Sequence, residues 1–235
     1  MEEHKIAIIG GTGDLGFGLA LRWARAGAQV VIGSRDEKKA QDSAERVKEK
    51  LRESASPPER VLVSGLENTQ AAAMASIVVL AIPFPSQVTI LKSIRGFLKN
   101  AVVVDTTVPL AATLGGKSSR LLGVWQGSAA EQARELIPTT TPLLAAFHNL
   151  SADALQDLSA VLDCDILVCG DDQSAKENLF PLVNLIPGLR PLDAGPLEMA
   201  RIVEGMTALL ISLNRRYRTH HTGIRITGLE TPIIG

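Results

Sequence analysis

Glycines at 11, 13 and 16, followed by the cations Arg35 and Lys39, define the chemistry open to this chain. The glycines stand in KIAIIGGTGDLG, after an apolar run at residues 6–9 and ahead of LGFGLALRWARAG, whose apolar spacing is helical. In a G-x-G-x-x-G between strand and helix, Gly11 permits the tight turn. Gly13 lets a pyrophosphate approach the backbone, and Gly16 lets the helix pack closely on the strand. The helix's unpaired N–H groups and positive dipole end then face the anion. About 20 residues further on, strands that bind NAD end in an acid for the ribose hydroxyls. Here the strand ends VVIGSRDEKKA, with Ser34 and Arg35 in that place. A hydroxyl and a guanidinium suit a 2′-phosphate, and Lys39 adds a second cation one helical turn on. Asp36 is read as the N-terminal residue of the next helix. The expected dinucleotide is therefore NADP(H).

Acids able to assist a reduction are few. Tyr217 is the only tyrosine and has His221 four residues on, so the Tyr-x-x-x-Lys pair is absent. Cys164 and Cys169 have no nearby histidines and propose no metal site, and no G-x-S-x-G elbow occurs. His148 follows the apolar segment LLAAF and precedes Asn149, which places it at the carboxyl end of a strand, where ligands bind in open α/β sheets. Position alone leaves a catalytic and a structural histidine equally open. His220 and His221 are weaker candidates, and His4, at the start of the first strand, is set aside. The segments AIPFPSQV and DTTVPL end strands on the same side, so Ile82, Phe84, Val108 and Leu110 could form an apolar wall for a nicotinamide. Trp125, in a glycine-bounded loop, reads as a packed anchor.

These residues need a scaffold, and the pattern supplies one. Strand candidates at 4–9, 29–32, 60–63, 77–82 and 101–104 alternate with helical stretches at 15–26 and 36–52, with further strands at 143–147 and 166–168. That alternation predicts an α/β, Rossmann-type doubly wound parallel sheet. Trp23 falls with Leu15 and Leu19 on one helical face and belongs to the core. The 36–52 helix is polar on most faces and lies outside the sheet. Beyond residue 150, helices at 171–186 and 196–213 flank PGLRPLDAGP, a stretch broken by prolines and glycines. The division expected is a dinucleotide-binding domain over 1–150 and a smaller, mainly helical domain over 151–235, with an extra strand near 165–169. The broad apolar stripe of the last helix favours a homodimer. A length of 235 residues, 46% hydrophobic content and a net charge of −1 fit a globular enzyme and give no electrostatic case for nucleic acid or a membrane surface. Two cysteines and no visible secretory signal point to the cytoplasm.

The block GGTGDLGFGLALRWARAG with GSRDEKKA, followed by AAFHNLSA, LVCGDD, PGLRPLDAGPL and LISLNRRYRTHHTGIRIT, resembles the NADPH-dependent coenzyme F420 reductases. GGTG and GSR are shared with other reductases of this fold, whereas the later blocks in this order are more selective. The resemblance implies reversible hydride exchange between NADP(H) and the 5-deazaflavin coenzyme F420, by a homodimer. It places the phosphate loop on Thr12, Gly13, Asp14 and Leu15, and the 2′-phosphate on Ser34, Arg35 and Lys39. Phe84, Val88, Leu110 and Ala152 fall near the rest of the dinucleotide. The deazaflavin falls at His148, Leu150 and Thr207, with Gly205 where some members have serine. Asp14 replaces an asparagine of archaeal members and brings a carboxylate close to the phosphates. His148 then hydrogen-bonds and polarises the deazaflavin. That ring takes hydride at C5 and delocalises the electrons, so the task is alignment of two flat rings and no strong acid is required. F420 also carries a phosphodiester and an oligoglutamate tail, for which Arg215, Arg216 and Arg218 in NRRYRTHH are candidates against a plain solvated helix end. Two other readings compete: an NADPH-dependent reductase of a small imine or hydroxy acid, and a non-catalytic NADP(H)-binding module.

Overall fold

A computed structural model describes residues 5–229, so His4 lies outside the described residues. The chain begins as alternating strands and helices: β1 (Lys5–Ile9), α1 (Asp14–Arg25), β2 (Gln29–Ser34), α2 (Glu37–Arg52), β3 (Val63–Glu67), α3 (Asn68–Ala73), β4 (Ile77–Leu80), α4 (Gln87–Ile94) and β5 (Val102–Asp105). It continues with α5 (Ala129–Leu136), β6 (Leu143–Ala145), α6 (Ala152–Gln156), β7 (Cys164–Gly170), α7 (Gln173–Asn184), β8 (Leu189–Asp193) and α8 (Ala200–Tyr217). The strands form one sheet in the order β3-β2-β1-β4-β5-β6-β7-β8. Neighbours are parallel except β6 and β7. Strand order reverses between β1 and β4, and the crevice for ligands in such sheets opens there, beyond the strands' carboxyl ends.

The sheet is buried on both faces because its central strands are apolar in nearly continuous runs, Ile6–Ile9, Ile77–Leu80 and Val102–Val104. Ile6 and Ile8 of β1 point into one core with Leu19 and Trp23 of α1, while Ala7 and Ile9 point into the other with Leu91 and Ile94 of α4. The polar α2 still buries a stripe, Ala40, Ala44, Val47 and Leu51, against the sheet edge. That contact corrects the third strand, expected at 60–63 and found at Val63–Glu67. A Cβ on Gly65 would lie 2.2 Å from the Ala40 carbonyl carbon, so this glycine marks the close approach of α2 and not the end of a strand.

The second half departs further from expectation. PGLRPLDAGP contains β8, which tolerates Pro191 because it is the last strand of the sheet and needs no N–H on its outer side. Residues beyond 150 therefore add two strands, and the sheet runs across the expected boundary. The last helix starts and ends four residues later than expected, at Ala200 and Tyr217.

Asp165 ties this half together. Fully buried on β7, it accepts two bonds from Arg190 of β8 and one from Arg225, all at 2.7 Å, and one from the Ile226 N–H at 2.7 Å. Burial pushes its carboxyl up, but Arg190, the Ile226 amide and Arg225 outweigh that and bring its pKa to about 2. The group's contribution is complete above its unfolded pKa and is lost as pH falls toward 2. Asp165→Asn should lower stability by about 3 kcal/mol at pH 7. In denaturant titrations the gap between wild type and variant should narrow below pH 4.

Candidate active site at the carboxyl edge of the sheet

The turn from β1 into α1 is built by backbone crowding. Gly10 has φ +82°, and a Cβ there would lie 2.4 Å from the Ala81 carbonyl oxygen, so the left-handed residue of the turn is Gly10 and not Gly11. Gly11 instead packs under Ile32, where a Cβ would sit 3.0 Å from its side chain. A Cβ on Gly16 would come within 2.7 Å of the Gly10 oxygen and 2.8 Å of the Gly11 Cα, so the start of α1 is pressed onto the loop. Gly13 caps α1 without a side chain, and Thr12, Gly13 and Asp14 are exposed, with Leu15 half-buried behind them. The amino end of α1 thus presents its dipole and backbone donors outward, which fits a phosphate.

The corner beside it selects by charge. The Asp36 carboxylate accepts the Lys39 N–H at 3.3 Å and caps α2, and the Asp36 N–H donates to Ser34 Oγ at 3.2 Å. Arg35 and Lys39 remain exposed next to Ser34. The carboxylate is committed to its helix and the cations are not, a fit to a 2′-phosphate and a poor one to a bare ribose diol.

Between the start of α6 and α8 lies a cavity of about 250 Å³ lined by His148, Leu150, Ala152, Thr207, Asn214 and Thr222 among others. Its floor is held under strain. Phe147 adopts φ +66°, rare for an aromatic residue, and is fixed by an edge-on contact with Trp23 at 5.7 Å. Trp23, as expected, is core, and its indole N–H donates to the Leu182 carbonyl at 2.8 Å. The chain therefore turns sharply just before His148. The His148 imidazole is buried, and neither ring nitrogen has a hydrogen-bond partner among the described residues. Burial pushes its pKa down to about 4, so the ring is neutral at pH 7. A buried, neutral imidazole with both nitrogens unspent fits a polar ligand edge. The His148 carbonyl accepts the Thr207 hydroxyl at 2.7 Å, which pins α8 over the cavity.

Loop and cavity are one rigid unit. At Gly18 of α1 a Cβ would lie 2.6 Å from Leu155 of α6, and Gln156 donates to the Asp14 carbonyl at 2.9 Å. Arg22, read only as part of a helix in the sequence, reaches from α1 to the carbonyls of Leu155, Ala154 and Asp157 and closes the end of α6. Its buried guanidinium offered no local pattern, since every partner lies more than 130 residues away.

The remaining candidates divide. Phe84, Val88, Val108 and Leu110 are half-buried near the strand ends, whereas Ile82 is buried against Gly10 and serves the core. Leu110 bridges to Leu121, and a Cβ on Gly205 would lie 3.6 Å from Leu121, so Gly205 faces that loop and is not part of the cavity lining. Trp125 is 99% exposed and anchors nothing, contrary to expectation. Tyr217, His220 and His221 are exposed. A network the sequence did not reveal crosses beneath these loops. Gln87 donates to Asp105 at 2.6 Å, and Glu204 of α8 accepts the Ala129 and Ala130 N–H groups at the start of α5. Burial raises Asp105 to about 6 and Glu204 to about 8 against their hydrogen bonds.

A doubly wound sheet with an open, uncapped helix end and a neutral histidine in the adjoining cavity defines a dinucleotide-dependent oxidoreductase. Comparison with known proteins narrows this. Residues 5–109 match the family described as NADP oxidoreductase, coenzyme F420-dependent. The F420-dependent NADP reductase of Methanothermobacter thermautotrophicus is 46% identical over 226 residues, covering 96% of this chain and 95% of that one. Its counterpart from Methanocaldococcus jannaschii is 43% identical over 96% of this chain and 99% of its own. A crystal structure from Arthrobacter sp. FB24, whose assignment as an F420-dependent NADP reductase is provisional, superposes with a TM-score of 0.79 at 26% identity over 95% of this chain and 99% of that one. The chain belongs to the F420-dependent NADP reductase family.

Two outcomes follow from the geometry. Arg35→Ala should raise the KM for NADPH about 10- to 100-fold while leaving that for NADH unchanged, the outcome expected of a guanidinium that would bond only a 2′-phosphate. Steady-state kinetics with both dinucleotides checks this. Because the folded pKa of His148 lies below its unfolded value, its neutral burial costs stability as pH falls from 6.5 toward 4. A His148→Leu variant should therefore lose less Tm than wild type between pH 7 and pH 5.

Proposed function

We propose that this chain transfers a hydride reversibly between NADP(H), held along the amino end of α1, and the deazaflavin of coenzyme F420, held in the cavity at His148. The observation that carries the reading is the rigid junction of α1 and α6, which joins the phosphate loop to Ala152, Leu150 and His148. When both coenzymes are bound, the nicotinamide and the deazaflavin supply the hydride donor and acceptor. The chain's own residues then have three tasks. Gly13, Thr12, Asp14 and Leu15 offer backbone amides to the pyrophosphate, and Ser34, Arg35 and Lys39 hold the 2′-phosphate. Phe84, Val88, Val108 and Leu110 exclude water from one ring, and Leu150, Ala152 and Thr207 shape the space for the other. His148, kept neutral, donates or accepts one hydrogen bond at the deazaflavin's polar edge without itself titrating at physiological pH.

The enzyme works as a homodimer through α8 in this reading. Ile202 and Leu209 of α8 are more than half exposed, and Leu121 and Trp125 add apolar surface on the neighbouring loop. Residues 1–150 act as the dinucleotide domain and 151–235 as its smaller companion, in the cytoplasm. Among the described residues no helix is long and apolar enough to cross a membrane. A single spectrophotometric assay tests the function: NADPH, F420 and protein should change the deazaflavin absorbance, with flavin mononucleotide as the control acceptor. His148→Ala should raise the KM for F420 about tenfold with that for NADPH unchanged, as expected for one buried hydrogen bond. Unchanged F420 kinetics would remove His148 from the site.

A further inference from the structure

The amino end of α5 is closed from another helix. The Glu131 N–H goes to the helix's own cap, Ser128 Oγ, at 3.0 Å. The two N–H groups before it go to Glu204 of α8, whose Oε2 accepts from Ala129 at 2.9 Å and whose Oε1 accepts from Ala130 at 3.0 Å. The Ala129 carbonyl in turn accepts Gln87 Nε2 at 3.0 Å, and the same amide donates to Asp105 Oδ2 at 2.6 Å. Gln132 Nε2 donates to Gln87 Oε1 at 2.8 Å, and Asp105 Oδ1 accepts the Thr107 N–H at 2.8 Å. These bonds run without a gap from α8, through the starts of α5 and α4, to the end of β5. Glu204, Gln87 and Asp105 are all buried. Gln87 immediately precedes Val88 and Thr107 immediately precedes Val108, so the network ends at two residues of the apolar wall. At its other end Thr207, one turn beyond Glu204 on α8, donates to the His148 carbonyl.

We propose that Glu204 is a positioning residue for hydride transfer: by holding α8 to the start of α5, it fixes the distance between the wall at Val88 and Val108 and the cavity at His148. This rests on the functional reading above. It adds a second tie between the two coenzyme sites, on the opposite face of the sheet from the α1–α6 junction. A carboxylate suits the junction best because it offers two charged acceptors to two donors. An amide would set its NH2 against one N–H, and a protonated acid accepts weakly at its hydroxyl oxygen. Burial raises the Glu204 pKa to about 8 against the Ala129 and Ala130 bonds, and Asp105 of β5 and Glu131 of α5 add to the rise. Cys169 of β7 also lies within its field, and Arg201, one turn earlier on α8, is paired with Glu131 at 2.5 Å. The junction therefore tightens as pH rises through 8 and slackens below it.

Single-turnover mixing of NADPH-loaded enzyme with F420 tests this. Glu204→Gln should slow hydride transfer about 10- to 100-fold, the cost of a small misalignment, while the Kd of each coenzyme changes less than about threefold. The wild-type rate should rise between pH 7 and pH 9 with an inflection that Glu204→Gln lacks. Glu204→Asp, which keeps the charge and both acceptors on a shorter stem, should retain the inflection at a lower rate. Ser128→Ala removes the helix's own cap and should lower Tm with the rate unchanged. A Glu204→Gln rate within about threefold of wild type, equal slowing by Ser128→Ala, or an inflection that survives in Glu204→Gln overturns the positioning role. Should Glu204→Gln fail to fold, a profile without inflection in wild type or in Glu204→Asp overturns it. Failure of wild type to pass a hydride between the two coenzymes overturns the functional reading instead.

Discussion

The contact on which everything else depends is the compression of α1 onto β1. Gly16 lies where a single methyl group would strike the Gly10 oxygen, and Gly10 is left-handed beneath Ala81. This crowding costs conformational freedom but leaves the first turn of α1 without a side-chain cap and facing solvent. The same helix carries Gly18 against Leu155, Arg22 into α6 and Trp23 under Phe147. One rigid rod therefore sets both the anion end and the floor of the cavity, and the two cannot drift apart without breaking the core.

Against that rigid frame, charge is distributed unevenly. Asp36 spends its carboxylate on a helix end, so the basic corner is left unopposed. His148 has no hydrogen-bond partner for its ring among the described residues, and burial keeps it neutral. Asp105 and Glu204 are held deep beneath the loops with raised affinities for protons. His148 thus brings no charge to the cavity at pH 7, which suits a reaction whose moving species is a hydride between two rings and not a proton between side chains.

Much of this was legible in the residues. G-x-G-x-x-G between an apolar run and a helix marked the turn into α1, and the missing acid after β2 marked the exposed pair Arg35 and Lys39, because both signals are local. The strand at Val63–Glu67 was displaced because Gly65 and Ala40 make their contact across the sheet edge, and a glycine reads as a break when its neighbour in space is unknown. Pro191 hid β8 in the same way, since only the strand order reveals it as an edge. Arg22 and Glu204 carry no spacing signature, as their partners are backbone groups brought up by the fold, and Asp105 meets the Gln87 side chain from another element. Trp125 ran the other way, a residue type that promises packing but stands in solvent.

The antiparallel step from β6 to β7 has a consequence of its own. Because β7 and β8 run opposite to the other six strands, the chain leaves β8 at the edge remote from the crevice and α8 must travel back across the molecule. Its length then acts as a ruler. Adding or deleting one turn would shift everything past Asn214 by about 5.4 Å and pull Ile224, Arg225 and Ile226 out of register with Asp165 of β7. The length of α8 is therefore set by the sheet at both ends, at β8 where the helix departs and at β7 where the chain returns.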